Sequence, residues 1–173
     1  MAKYLFWIAV ALLVLVGTAA LLLGGPQSRV DPALLAAFAE PGLVPAARFL
    51  THLGDGVAVL SAAVVAAAVL LAQGHRRRAI LLLVILSSQR LMVEAMKAGF
   101  DRARPDVEGR QVAVHSMAFP SGHSANVMAI GLALALLATG PQWRRPAVAA
   151  ALVVAIVVGV CRMVLQVHWP SDV

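Results

Sequence analysis

Three short clusters carry the residue types that phosphoryl chemistry uses: Lys97…Arg104-Pro105, Pro120-Ser121-Gly122-His123 and Arg162…His168…Asp172. Arginine presents planar paired donors to phosphate oxygens, and lysine adds a point charge. Ser121 reads as a helix cap, Gly122 lets a ligand approach the backbone, and amides at a helix start attract an anion. His123 then stands beside that anion, where it would protonate a departing alkoxide as a general acid. Asp172 can hold one nitrogen of His168 and fix its tautomer, leaving the other nitrogen free to attack. The first two clusters also have a plain structural reading. Boundary cations snorkel to the membrane surface, and a capping serine with an interfacial histidine needs no chemistry.

The elements that must position these residues are membrane helices. The chain is 61% hydrophobic and 13% charged, with a mean hydropathy of +0.88. Soluble domains are roughly a quarter charged, so composition places the chain in the membrane class. A span needs about 20 apolar residues, and five such stretches are predicted, at about 4–23, 56–73, 79–96, 121–138 and 146–167. The first apolar run is too long for a signal-peptide core and lacks a clear cleavage pattern, so it reads as a retained helix. Asp31-Pro32 predicts a short helix with Asp31 as cap and Pro32 at its first position. After the Pro41-Gly42 break, residues 44–53 form a second short apolar piece. Neither is long enough to span, so both are expected to be interfacial or re-entrant. The fold class is thus an all-α polytopic bundle forming one domain over residues 1–173. All three clusters fall at span ends that emerge on the same side.

The formal charge of +6 does not signal a nucleic-acid partner, because the cations sit at membrane boundaries or in the clusters without an aromatic-rich basic surface. Cys161 is the only cysteine, which excludes an intrachain disulfide or a cysteine-rich metal site. Arg90 and Glu94, four apart inside the third span, can pair on one face. They are expected to face the bundle interior or a polar cavity, as a structural ion pair or in a catalytic role. Arg162 near the end of the fifth span carries the same implication. Pro170 interrupts a continuous helix from His168 to Asp172, so a new helix is expected to start there with Asp172 in its first turn, where a carboxylate suits the dipole. With the N-terminus inside, each side carries six cations. Setting aside Lys97 and Arg104 leaves six against four, a weak bias that puts the clusters on the extracytoplasmic face of a plasma or inner membrane.

Taken together, Lys97-x6-Arg104-Pro105, Pro120-Ser121-Gly122-His123 and Arg162-x5-His168-x3-Asp172 resemble the signature of the type 2 phosphatidic acid phosphatase and vanadium haloperoxidase superfamily. The resemblance implies a membrane phosphatase acting on a lipid phosphate or diphosphate, of the phosphatidic acid, phosphatidylglycerol phosphate or polyprenyl diphosphate type. It makes His168 the nucleophile of a phosphohistidine intermediate, oriented by Asp172, and His123 the acid that later activates water. Lys97, Arg104, Arg162, Ser121 and the Gly122 amide would hold the phosphoryl oxygens. The resemblance implies no metal or other cofactor. The implied partners are the lipid substrate and membrane lipids. Two departures stand out. Cys161 occupies a position where the family often has Ser or Thr, which would weaken a hydrogen bond from that hydroxyl. The family's membrane members also have a sixth helix beginning at the Asp172 segment, so a chain ending at Val173 is expected to be truncated, with Asp172 lacking the helix that should hold it. The competing readings are a vanadate-dependent haloperoxidase, disfavoured because family haloperoxidases are soluble, and a non-catalytic lipid-binding or transport protein, disfavoured by the retention of both histidines and the aspartate.

The other polar residues read as ordinary. His52 and Asp55 are expected in a polar turn before the second span, with an approach to the site as the alternative. His75 belongs to a basic turn, and Arg102 and His115 are expected in a solvated loop, with contact to a lipid headgroup as the alternative.

Overall fold

The computed structural model describes residues 24–106, 112 and 116–173, together with residues 14, 15, 17, 18 and 22. Most of the predicted first span lies outside the described residues, and its five described positions are helical. Among the described residues the ordered elements are α1 (Val30–Ala37), α2 (Val44–Thr51), α3 (Gly56–Ala72), α4 (Arg76–Phe100), α5 (Gly122–Leu137) and α6 (Pro141–Val164). Single 3-10 turns occupy Pro41–Leu43, His52–Gly54 and Pro170–Asp172. The all-α architecture follows. Of these helices, α4 and α6 are long and apolar enough to cross a membrane, whereas α3 and α5 are shorter apolar helices of 17 and 16 residues.

The two short helices expected before α3 form, and they meet at a bend of 67°. Glu40 is extended there, as its neighbour Pro41 requires. Asp31 is not the cap that its position suggests. The helix begins at Val30, two residues before Pro32, and Ser28 Oγ accepts from the amides of Val30 and Asp31 at 3.1 and 3.3 Å. The buried Asp31 carboxylate instead accepts from Gly25 N and from the amide and hydroxyl of Ser171, tying α1 to the end of the chain.

Small residues bring the longer helices close, as they do in membrane bundles where van der Waals packing rather than water drives association. Val59, Ala63, Ala67, Leu70, Ala79, Leu82, Ile130 and Ala133 form one core cluster among α3, α4 and α5. Where α5 meets α6, a Cβ added at Gly131 would lie 2.8 Å from Ala151 Cβ, so the approach depends on glycine. The outer faces expose Val57, Leu60, Val64, Leu91 and Ile156, the apolar surface that a lipid environment demands. Helix α6 starts at Pro141, five residues before the predicted span, because proline suits the first helical position. Trp143-Arg144-Arg145 therefore lie within α6 rather than in the turn before it.

The chain direction sorts the charges. The α3–α4 and α5–α6 turns share one end, where Arg78 Nη1 donates to Leu137 O at 3.4 Å. The start of α3, the end of α4, the start of α5 and the end of α6 therefore share the other. Arg90 and Glu94 do pair, at 3.0 Å, but their side chains are 60% and 50% exposed. They do not face the bundle interior, because the inward face of α4 is the one carrying Ala79, Leu82, Val93 and Lys97, but Arg90 lines a largely apolar cleft between α3 and α4.

Candidate active site

The third cluster hangs from the end of α6. Gln166 adopts a left-handed conformation (φ 57°), which ends the helix and turns the chain. Its side chain donates to Met163 O and Leu35 O at 2.9 and 3.1 Å. His168, two residues on, is 1% exposed. Its Nδ1 lies 3.4 Å from Asp172 Oδ2, a long hydrogen bond. Its Nε2 accepts from Arg104 Nη1 at 3.0 Å. A carboxylate on one side and a guanidinium on the other assign the proton to Nδ1. Pro170 opens a 3-10 turn with Asp172 in it, as the sequence suggested. Asp172 is firmly held: Oδ2 accepts from Trp169 N and Oδ1 from Arg102 Nη1, both at 2.9 Å.

The first cluster reaches the third through Arg104. Its guanidinium donates to the carbonyls of Val167 and Ser116 at 2.6 Å each, and to Met117 O at 3.3 Å. Ser116 Oγ accepts from both Arg104 Nη2 and Lys97 Nζ, at 3.1 and 2.9 Å. Lys97 Nζ in turn lies 3.9 Å from where a Cβ on Gly122 would stand, so the first cluster also meets the second. Ser121 N donates to Asp172 O at 2.8 Å, joining the second to the third. Ser121 occupies the N-cap position of α5, but its Oγ accepts from Ser124 Oγ at 3.2 Å rather than from a helix amide.

Arg162 is 3% exposed and donates from Nη1 to Thr51 Oγ1 at 3.0 Å. Its buried Nε has no hydrogen-bond partner among the described residues. A buried donor of this kind is costly unless an acceptor meets it, and an anion's oxygen would serve. His123 sits in the first turn of α5 with Nε2 2.8 Å from Asp55 Oδ1. The His52–Gly54 turn presses directly on it: a side-chain carbon at Gly54 would fall 2.8 Å from His123 Cβ. Asn126 Nδ2 donates to Gly54 O at 3.0 Å and fixes that contact. His52 Nδ1 completes the group, 2.6 Å from Asp55 Oδ2.

The charges of Arg104 and Arg162 act on both imidazoles. Burial pushes His168 down to about 4, with the Asp172 hydrogen bond opposing and Arg104 adding to the shift. His168 is therefore neutral at pH 7. Burial works to raise Asp55, but the hydrogen bonds from His52 and His123 outweigh it and hold the carboxyl below its usual range.

Two expectations fail here. Arg102 is no solvated loop residue: it is 8% exposed, bonded to Asp172 and to Ser171 Oγ, with its guanidinium carbon 4.8 Å from the Phe119 ring centroid. Asp55 and His52 form more than a polar turn, since Asp55 reaches His123 across 68 positions. Ser116 carried no sequence signal. His115 lies outside the described residues.

A bundle with apolar outer faces and its buried cations gathered with two histidines at one end defines a helical integral membrane protein of the anion-handling kind. The chain belongs to the PAP2 superfamily, whose family model matches residues 78–173, a stretch containing all three clusters. It resembles the crystal structure of the first transmembrane PAP2 type phosphatidylglycerolphosphate phosphatase from Bacillus subtilis, with a TM-score of 0.83, 26% identity, and coverage of 94% of this chain and 85% of that one. Aquifex aeolicus LpxE shares the fold at a TM-score of 0.67 and 19% identity, over 84% of this chain and 87% of that one. No curated protein sequence matches significantly. Thr51, His52 and Asp55 precede the segment matched by the family model.

Proposed function

We propose that this protein is a phosphatase that hydrolyses a lipid phosphate or diphosphate through a phosphohistidine. The observation that carries the reading is His168: buried, gripped between Asp172 and Arg104, and within reach of the Arg162 charge. Phosphoryl transfer asks a protein mainly for positioning and charge stabilisation. Lys97, Arg104 and Arg162, with Ser121 and the Gly122 amide, hold the phosphoryl oxygens, and Arg162 Nε gains its acceptor. His168 Nε2 attacks phosphorus as Arg104 moves from that nitrogen to the phosphoryl group. The P–O bond breaks and His123 gives its proton to the leaving oxygen. Water then attacks phosphorus while His123 takes its proton, the P–N bond breaks with its electron pair returning to His168, and inorganic phosphate leaves.

The lipid character of the substrate is supported by a cleft of about 640 Å³ between α3 and α4. It is lined by Val57, Leu60, Ala63, Leu83 and Leu86, and touches Gly56 and Asn126, neighbours of Asp55 and His123. A hydrocarbon chain there lies beside a phosphate in the site. Similarity to a phosphatidylglycerolphosphate phosphatase supports the same class. An extracytoplasmic site is the reading that the weak charge bias of the sequence supports. The test is phosphate release from phosphatidic acid, phosphatidylglycerol phosphate and a polyprenyl diphosphate in detergent containing EDTA, compared with His168→Ala and His123→Ala. We expect release from at least one substrate by the parent protein in chelator and losses of about 10²–10⁴-fold in the variants. Equal release by all three proteins overturns the mechanism.

A further inference from the structure

We propose that Asp55 is a positioning residue for His123, so that the site contains two imidazole–carboxylate pairs and the second is built by a segment outside the three clusters. The proposal rests on the phosphatase reading above for its catalytic consequence, but its structural content stands alone. The Thr51–Asp55 segment makes four separate connections to the site. Thr51 accepts from Arg162, Gly54 lies against the backbone of His123, the Gly54 carbonyl holds Asn126, and Asp55 Oδ1 faces His123 Nε2 at 2.8 Å. His52 donates to the other oxygen, Asp55 Oδ2, at 2.6 Å. The carboxylate therefore cannot rotate away from the ring without losing a second bond.

This geometry fixes which nitrogen of His123 does the chemistry. Nε2–H donates to Asp55, so Nδ1 is the atom that meets substrate. In the first step Nδ1–H passes its proton to the leaving oxygen as the P–O bond breaks and its electron pair goes to that oxygen, leaving His123 neutral with hydrogen on Nε2. In the second step Nδ1 takes a proton from the attacking water. The P–N bond then breaks, its electron pair returns to His168, and His123 regains its charged form. Asp55 keeps its charge throughout and stabilises the imidazolium at both ends of the cycle. Arg162 from α6 and Arg104 from the preceding loop act on the same ring as cations, and Asp55 is the carboxylate set against them. His52 is largely exposed, so its bond restrains Asp55 but its removal is expected to cost less than loss of Asp55 itself.

Two measurements test this. Nitrogen-15 NMR of histidine-labelled protein in detergent, with the signal assigned by its loss in His123→Gln, reads the tautomer without any turnover. Hydrogen on Nε2 of neutral His123 is expected, and hydrogen on Nδ1 overturns the proposal. In kinetics, Asp55→Asn is expected to lower kcat about 10²–10⁴-fold on an alkyl phosphate lipid with little change in KM, and His52→Gln less than about tenfold. With a p-nitrophenyl phosphate ester, whose leaving group needs no acid, phosphoenzyme should form quickly in Asp55→Asn and then persist because its hydrolysis still needs His123. An unchanged kcat, or slow phosphoenzyme formation with both leaving groups, overturns the positioning role. If the parent protein releases no phosphate from any substrate, the phosphatase reading falls while the NMR result still decides the pairing.

Discussion

Replacing Arg102 by leucine tests how Asp172 is held. Arg102 Nη1 lies 2.9 Å from Asp172 Oδ1, and the two side chains are 7% and 0% exposed. Removing one partner of a buried pair leaves an uncompensated charge, which costs about 3–5 kcal/mol. Loss of the contact with the Phe119 ring adds roughly 0.5–2 kcal/mol. Against this, Trp169 N still serves Oδ2, and leucine refills part of the volume. We therefore expect the low end, about 3 kcal/mol. For a chain of this size that lowers Tm by about 6–12 °C. Activity should fall further than stability explains. Without its guanidinium clamp the Asp172 carboxylate no longer fixes the proton on His168 Nδ1, and errors of tautomer in a comparable dyad cost up to about 10⁴ in kcat. Thermal unfolding in detergent and phosphate release at a temperature well below Tm separate the two effects. Arg102→Lys should recover part of the stability but less of the rate, because an ammonium cannot reproduce the planar group that lies over the Phe119 ring while its Nη1 meets both Asp172 and Ser171. An Arg102→Leu protein with parental Tm and turnover would refute the reasoning.

Acid sensitivity follows from His168. Its folded pKa of about 4 lies below the ordinary value of 6.5, so the unfolded chain binds more protons between those limits and stability falls as pH drops from 6.5 towards 4. Unfolding followed across that range should show a declining Tm, which His168→Gln flattens. In kcat/KM the limb for protonation of the His168 nucleophile should appear near pH 4 rather than 6.5. At Gly131, where a Cβ would stand 2.8 Å from Ala151 Cβ, alanine overpacks the α5–α6 contact and should cost about 1–3 kcal/mol, read as a lower Tm. Gly131→Ala together with Ala151→Gly should recover most of that loss.

The three clusters were legible because each is compact in sequence and lies at the end of an apolar stretch. The alternating direction of successive helices then decides which end of the bundle it reaches. Pro170 told correctly that His168 and Asp172 do not share one helix, since a proline constraint is local. Asp31 and Arg102 were misread for the opposite reason. An aspartate before a proline looks like a cap, and an arginine in a polar loop looks solvated, when their partners lie 140 and 70 positions away. Arg90 and Glu94 paired as their spacing required, yet spacing along α4 could not say which face would be covered.

Composition and periodicity alone determined that this is a helical membrane protein. Local motif chemistry singled out three clusters as the candidates for gripping phosphate. Only the packed structure decided that Asp55 belongs to His123, that Arg102 clamps Asp172, and that Arg162 keeps a buried donor without a partner among the described residues. The physical reason is one of range. Hydropathy and helix geometry act over a few turns, whereas a hydrogen bond forms between whichever groups the folded bundle brings within about 3 Å, however far apart they stand along the chain.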